Sequence, residues 1–192
     1  MRCVGSSPSA AASALRNRLG GMAEAEALEP VLFDDDEGML SDTDVEPATA
    51  LAGEEREQIS ALIKQAETLA DRIDEDPKFV MLVKQLKALE KENARTVVFC
   101  RFISTADAVG EALRKIFCKH RIEVVTGRLT PEERRERVED MGEDDRRILV
   151  ATDCLSEGIN LQKLFNAVIH YDLNWNPDRK STRLNSSHLL IS

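Results

Sequence analysis

The sequence has no long apolar run, no closely spaced cysteines and few aromatic residues, with one Trp and one Tyr among 192 positions. Its four cysteines form no C-x-x-C pair and have no histidine at ligand spacing, so zinc is not expected and reduced, mostly buried thiols are. No stretch approaches the length of a membrane span, and the first residues contain no apolar core of the signal-peptide kind. These absences predict a cytoplasmic protein that does not enter a membrane.

Several catalytic motifs are also absent. The sequence contains no G-x-x-x-x-G-K-[ST] phosphate-binding loop, no G-x-S-x-G elbow and no H-E-x-x-H, and its three histidines lack partners at useful spacing. Asp153 follows a predicted strand. A magnesium-dependent phosphoacceptor protein would also have an acidic pair after its first strand, where this sequence reads Cys100-Arg101. We therefore predict no catalytic residue and no metal ligand in this chain.

The net charge of -9 is concentrated in one segment. Between Glu24 and Glu57, thirteen acidic residues stand against the single Arg56, whereas residues 58–192 carry equal numbers of acidic and basic side chains. The acidity therefore does not exclude phosphate contacts in the rest of the chain.

Composition divides the chain into five segments. Residues 1–28 form a short helical N-terminal segment, with the helix near 9–19, and residues 29–53 form an acidic linker. Repulsion among the linker's charges favours a solvated segment, with an acidic interaction tail as the alternative. Residues 54–94 are a helical lead-in, residues 95–179 carry the main domain, and residues 180–192 form a Ser/Asn-rich tail.

The lead-in contains two predicted amphipathic helices. Apolar residues recur at three- and four-residue steps in the first, namely Ile59, Leu62, Ile63, Ala66, Leu69, Ala70 and Ile73. Asp76 as N-cap and Pro77 at the first helical position begin the second. Its predicted apolar face comprises Phe79, Val80, Val83, Leu86 and Leu89.

The main domain alternates strands and helices. Short β-rich runs occur at 96–100, 122–125, 148–151 and 167–171. One intervening helix begins at Ser104, with Asp107 completing a capping box, and another begins at Thr130-Pro131-Glu132-Glu133. Apolar strands that alternate with helices predict an α/β fold, a doubly wound parallel sheet with helices on both faces.

Polar residues follow all four strands. They form clusters at 100–102, 126–128, 152–160 and 172–177. Ligands of such sheets bind at the carboxyl ends of the strands, and these hydroxyls, amides, glycines and arginine suit phosphate and ribose oxygens. On composition alone, a binding site and a set of ordinary polar loops remain equal alternatives.

The order of these clusters resembles the second lobe of Swi/Snf-type superfamily 2 helicase-like ATPases. The run at 97–100 resembles motif IV, the run at 125–134 resembles the "TG" strand end and its arginine-bearing helix, and the runs at 149–153 and 158–162 resemble motif V. Asp172-Leu173-Asn174-Trp175-Asn176-Pro177 resembles the D-x-x-W-N-P strand end. The resemblance begins at Asp76-Pro77-Lys78 and covers about residues 76–179. The residues of its motifs most resemble those of bacterial helicase-like proteins of the restriction and phage-defence kind.

The resemblance implies a RecA-like fold, an incomplete helicase C-terminal lobe. By position, Thr126, Gly127, Arg134 and Thr152 would contact the backbone of one nucleic-acid strand, and Gly158 and Asn160 would face the nucleotide. In the complete two-lobe enzyme the cofactors would be ATP and Mg. The implied partners are nucleic acid, with DNA preferred to RNA, and the N-terminal ATPase lobe.

Other residues near these motifs are given plainer roles. Arg128 and Arg135 are interpreted as solvated charges at helix ends, and Glu157 has no expected role. His170 is interpreted as a satisfied core or surface residue. Trp175 is expected to pack against the sheet edge, with base stacking as the alternative.

The sequence departs from the family where motif VI should follow Asn176-Pro177. The tail at 180–192 matches no part of that motif, and we expect a truncated frame whose last residues are foreign. The predicted function is a fragment of an ATP-dependent nucleic-acid translocase that is inactive alone. The alternative is a stand-alone, non-catalytic RecA-like module that binds nucleic acid or a protein. A nucleotide-binding enzyme of flavodoxin-like fold is the third interpretation.

Overall fold

The computed structural model of the chain describes residues 5–20, 53–155, 160–172 and 187–190. The chain divides into two compact units, Met1–Arg72 and Ile73–Ser192. No helix within the described ranges is long and apolar enough to cross a membrane. The predicted acidic linker at 29–53 lies outside the described residues except for Gly53, which begins a helix.

The first unit contains two helices, α1 (Pro8–Gly20) and α2 (Gly53–Ala70). Both were predicted from the sequence. They pack through the small side chains of Ala11, Ala12 and Ala66. Alanines let two helices approach closely, because no long side chain separates their backbones.

The predicted apolar face of α2 is only partly buried, because its contact with α1 is narrow. Ile59, Ile63 and Ala66 are buried as predicted, but Leu62 and Leu69 are 49% and 57% exposed. Leu62 and Leu69 are seven positions apart and so lie on one side of α2, beside the stripe that faces α1. Apolar residues recur at helical spacing in both stripes, so the spacing alone could not predict which stripe is buried.

The second unit begins with a 3₁₀ helix (Ile73–Glu75), and α3 (Pro77–Lys91) follows it and starts as predicted. The Asp76 carboxylate accepts hydrogen bonds from the backbone N–H groups of Lys78 (2.7 Å) and Phe79 (3.4 Å). The predicted apolar face is wrong at Val80, which is 50% exposed, and it omitted the fully buried Leu82. Residues 79–83 are all apolar, so their spacing alone could not select the buried face.

A parallel sheet forms the rest of this unit, in the order β2-β3-β1-β4-β5. The strands are β1 (Thr96–Phe99), β2 (Arg121–Val125), β3 (Arg147–Ala151), β4 (Ala167–His170) and β5 (Ser187–Leu190). Helices α4 (Ile103–Ile116) and α5 (Pro131–Asp140) follow β1 and β2. Four of the strands were predicted; β5 lies in the tail, for which no element was expected.

Successive strand residues are buried on opposite faces of the sheet. Val98 and Val150 pack with α3 and α4, whereas Val97 and Leu149 pack with Val138 of α5. The sheet therefore has helices on both faces, and the predicted α/β RecA-like fold is confirmed.

One of the two predicted capping boxes is wrong. Helix α4 begins at Ile103, its N-cap is Phe102, and no side chain caps it. The Asp107 carboxylate accepts a hydrogen bond from Arg128 instead (3.0 Å). The other box is confirmed, because Thr130 and Glu133 exchange the expected bonds at the start of α5.

Candidate nucleic-acid interface

The four strand ends predicted to bind ligand lie at one edge of the sheet. Because β1 to β4 run parallel, their carboxyl ends meet there. Backbone hydrogen bonds continue past the strands: Cys100 N–H donates to Ala151 (2.8 Å), and Thr152 N–H donates to Val125 (3.2 Å). The loops after β1, β2 and β3 are thereby held in register beside one another.

Thr126 and Thr152 are placed at this edge but are largely covered. They are 5% and 6% exposed. The Thr152 hydroxyl donates a hydrogen bond to Sγ of Cys154 (3.3 Å). Burial raises the pKa of the Cys154 thiol, so this acceptor is a neutral thiol rather than a thiolate. A phosphate at Thr152 would replace this weak intramolecular bond with a charge-assisted one.

Gly127 is exposed in the loop between β2 and α5. A Cβ atom built at this position would meet no heavy atom within 4 Å. The protein itself therefore does not need a glycine here for space. The open volume lets an incoming backbone or phosphate approach the peptide closely.

Arg134 connects two of the strand-end loops. It is half-buried on α5, where Nε donates to the carbonyl of Leu129 (2.8 Å) and Nη1 donates to the carbonyl of Cys154 (3.1 Å). These bonds tie the loop after β2 to the loop after β3. The family resemblance implied only a phosphate contact for Arg134, whereas the structure shows that two of its five N–H groups join the two loops.

Asn160 precedes the short 3₁₀ helix Leu161–Lys163 and is exposed. Its side chain makes no capping hydrogen bond, so the amide is not used to hold that helix. Gly158, its predicted companion at the nucleotide, lies outside the described residues. Within the parts of the chain that the structure describes, no group of His, Cys, Asp or Glu is placed to hold a metal ion.

An ion pair that the sequence did not reveal lies at the same edge. Lys78 Nζ is 2.7 Å from Oδ1 of Asp172 and 4.3 Å from the centre of the Tyr171 ring. The other carboxylate oxygen of Asp172 accepts a hydrogen bond from the Arg101 N–H (2.8 Å). Burial raises the pKa of the Cys100 thiol and of the Tyr171 phenol, so both remain neutral beside this pair. The pair fixes the start of α3 to the ends of β1 and β4.

A comparison with protein families identifies the domain to which this edge of the sheet belongs. Residues 77–185, more than half of the chain, match the model of the helicase conserved C-terminal domain. The chain belongs to this family. The match begins at α3 and includes all four strand-end loops, so the helicase C-terminal domain contains strands β1 to β4 and the candidate site, whereas β5 lies beyond the matched residues.

The curated relatives that match are named ATP-dependent RNA helicases. The chain is 34% identical over 84 residues to the ATP-dependent RNA helicase uap56 of Schizosaccharomyces pombe; the match covers 44% of this chain and 19% of that protein. The chain is therefore comparable with less than a fifth of that relative.

Two solved structures share its fold. Mss116p DEAD-box helicase domain 2 bound to an RNA duplex is similar at TM-score 0.52 and 21% identity, over 59% of this chain and 49% of that one. The Sulfolobus solfataricus SWI2/SNF2 ATPase core in complex with dsDNA is similar at TM-score 0.52 and 17% identity, over 96% of this chain and 37% of that one. At these identities the likeness shows the fold alone. The predicted helicase family is thus confirmed, while its Swi/Snf branch stays a prediction.

Proposed function

We propose that this chain supplies the second lobe of an ATP-dependent nucleic-acid translocase or helicase and does not turn over ATP by itself. The observation that carries the proposal is the meeting of the strand-end loops at one edge of a helicase C-terminal domain. In this proposal the edge binds the backbone of one strand through Thr126, Gly127, Arg134 and Thr152. A second surface, with Gly158 and Asn160, forms one face of the ATP cleft.

The chemistry of the edge suits contacts that ignore base sequence. Hydroxyls, an open glycine peptide and a guanidinium are ligands for phosphate oxygens, and such contacts position a strand without reading it. Arg134 contributes in two ways, since its bonds to Leu129 and Cys154 set the spacing of the loops that hold Gly127 and Thr152. Movement of a motor along a strand requires this indifference to sequence.

The nucleotide face is supported by Asn160. An exposed amide that is not used for capping can bond a ribose hydroxyl, which fits the role implied by the family. In the complete enzyme, ATP and Mg would lie between the two lobes, and closing of the cleft around ATP would drive movement along the strand. The residues of this chain would bind and orient the nucleotide from one side.

The finer branch of the family is also a proposal. Two runs of residues favour the Swi/Snf group and, within it, bacterial proteins of the restriction and phage-defence kind. They are motif V and the strand end Asp172-Leu173-Asn174-Trp175-Asn176-Pro177. The preference for DNA is weakened by the relatives, since uap56 is named an RNA helicase and Mss116p is bound to RNA. The S. solfataricus protein is bound to dsDNA. The shared ligand in both cases is a sugar-phosphate backbone.

We expect no ATPase activity from the 192-residue chain, with or without nucleic acid. The sequence contains no phosphate-binding loop, and the residues after Asn176-Pro177 do not match the glutamine- and arginine-rich motif VI, so the arginines that would stabilise the charge developing in phosphoryl transfer are missing. Phosphate release should equal the background of buffer alone. Release that is stimulated by nucleic acid and lost in Asn160→Ala would contradict this expectation, since a contaminating ATPase would not respond to that substitution.

Strand binding should depend on Arg134 and Thr152 in different ways. Arg134→Ala removes a cation, so binding of single strands should weaken and log K should depend on log salt with a slope shallower by about 0.7, one charge's share for a single strand. Thr152→Val removes a neutral hydroxyl at nearly constant volume, so affinity should fall while the slope stays the same.

Arg134→Lys separates the two roles of Arg134. Lysine keeps the charge but cannot bond both carbonyls in the geometry of a guanidinium. If residue 134 contacts phosphate through its charge, Arg134→Lys should keep the wild-type salt slope. If the bonds to Leu129 and Cys154 are also needed to hold the two loops, Arg134→Lys should still bind the strand more weakly. Fluorescence anisotropy with a labelled oligonucleotide measures both quantities. Unchanged affinity in Arg134→Ala and Thr152→Val would refute the proposed strand contacts.

A further inference from the structure

Arg128 and Asp107 form an exposed ion pair beside the candidate strand site. Arg128 follows Gly127 in the loop after β2, and Asp107 lies in α4, the helix that follows β1. Arg128 Nη1 is 3.0 Å from Oδ2 of Asp107, and the side chains are 56% and 48% exposed. The pair therefore joins the loop after β2 to the first half of α4, while both charges stay open to solvent.

Because both side chains are exposed, separating Arg128 from Asp107 costs little free energy. An ion pair in water contributes little to stability, because each partner is well solvated without the other. Arg134, the arginine already assigned to the proposed strand site, is half-buried and donates to two carbonyl groups. Compared with Arg134, Arg128 therefore has the guanidinium that an incoming anion can reach at the lower cost in free energy.

We propose that Arg128 is a further contact for the strand backbone and that Asp107 competes with phosphate for it. The inference rests on the proposed function, since it needs a strand at this edge. Without a strand, the Asp107 carboxylate holds the guanidinium beside Gly127. With a strand, a phosphate takes the place of the carboxylate, because a guanidinium matches the geometry of phosphate as well as that of a carboxylate.

Asp107 therefore lowers the affinity of the site. It occupies Arg128 before binding, and after binding its negative charge remains close to a phosphate. A purely structural ion pair would act in the opposite direction, because loosening the loop that contains Gly127 would weaken binding. The sign of the effect of Asp107→Asn thus separates the two roles.

The experiment measures binding of a fluorescein-labelled oligothymidylate and of an oligouridylate to the full 192-residue chain by anisotropy, over a series of salt concentrations. Asp107→Asn should tighten binding by about 2–5-fold at low salt, the range that exposed charge pairs produce. Arg128→Ala should weaken binding by a similar factor and make the salt slope shallower by about 0.7. In the double variant most of the gain from Asp107→Asn should disappear. The two oligonucleotides show whether the site prefers DNA or RNA.

A matched pair of control substitutions lies at the opposite end of the same strand. Arg121 is the first residue of β2, and its Nη1 is 3.7 Å from Oδ2 of Asp144, with side chains 43% and 44% exposed. Arg121→Ala and Asp144→Asn change the net charge as the test variants do. They should alter binding much less than Arg128→Ala and Asp107→Asn if location at the strand-end edge is what matters.

Two results would overturn the inference. If Arg134→Ala weakens binding but Asp107→Asn weakens it or leaves it unchanged, the pair is structural and the proposed function stands without it. If Arg134→Ala, Thr152→Val and Arg128→Ala all match the control variants, the edge binds no strand and the proposed function fails as well.

Discussion

Replacing Arg147 by Met is expected to lower the free energy of unfolding by about 3–5 kcal/mol. Arg147 begins β3 and is only 3% exposed. Its guanidinium donates to four backbone carbonyls, at Met141 (3.1 Å), Gly142 (3.0 Å), Asp144 (2.6 Å) and Leu164 (2.6 Å). Methionine fills the space but makes none of these bonds, each of which contributes about 1.5–3 kcal/mol because the donor is charged. The expected loss is smaller than their sum, because water can reach the part-buried carbonyls and the N–H of Asp144 still bonds the carbonyl of Met141 (3.2 Å).

The neighbouring Arg146 provides a matched control for this prediction. Its side chain is 59% exposed, and Nη1 is 3.8 Å from Oε1 of Glu90. Arg146→Met should change the free energy of unfolding by about 0.5 kcal/mol or less. Urea unfolding followed by far-ultraviolet circular dichroism measures both variants. Equal losses in Arg146→Met and Arg147→Met would show that the carbonyl bonds do not stabilise the fold.

Arg147→Lys tests the geometry of the group rather than its charge. Lysine remains cationic, but its single ammonium cannot span carbonyls on two separate loops. An intermediate loss of stability is therefore expected. Because Leu164 follows the 3₁₀ helix that begins after Asn160, the same bonds also hold this helix, next to Asn160, against the sheet. Substitutions of Arg147 should therefore also impair any function of Asn160.

Local features were the ones that the sequence predicted well. The strands β1 and β3 are continuous apolar runs, and the box of Thr130 and Glu133 needs only four consecutive residues. Once the strands are parallel, the meeting of their carboxyl ends follows from topology. The position of residues 126, 127 and 152 at this edge could therefore be predicted without any knowledge of side-chain contacts, whereas their role in strand binding is implied only by the family resemblance.

Contacts between distant residues were not predictable in the same way. Lys78 and Asp172 are 94 positions apart, and nothing in either neighbourhood marks them as partners. The bonds from Arg134 to Leu129 and Cys154 end on backbone carbonyls, which any residue type supplies. The box at Ser104 fails because α4 begins at Ile103, so Ser104 lies inside the helix, and the carboxylate of Asp107 bonds the distant Arg128. Such choices depend on which groups the fold brings together.

Gly110→Ala is expected to lower the free energy of unfolding by about 1–3 kcal/mol, although alanine favours a helix over glycine by about 1 kcal/mol. Gly110 lies in α4 where the helix packs on β2. A Cβ atom at this position would be 2.2 Å from Cγ2 of Val124. Val124 is β-branched and has few alternative rotamers, so the contact is relieved only if Val124 rotates or α4 moves away from β2.

Val124→Ala should rescue this variant, since it removes the methyl group that the new Cβ meets. The double variant is expected to be more stable than Gly110→Ala alone, and the coupling in a double-mutant cycle measures the clash. A gain of stability in Gly110→Ala, with no coupling to Val124→Ala, would mean that helix propensity decides the outcome and that the close packing is wrong.

Gly127→Ala completes the test, because a Cβ at Gly127 meets nothing within 4 Å. Its free energy of unfolding should change by about 0.5 kcal/mol or less, whereas its affinity for a single strand should fall, since the added methyl group occupies the space through which a phosphate approaches the peptide. The two glycines thus give opposite results in unfolding and in binding. If Gly127→Ala binds strands as well as the wild type does, close approach at this loop is not part of strand recognition.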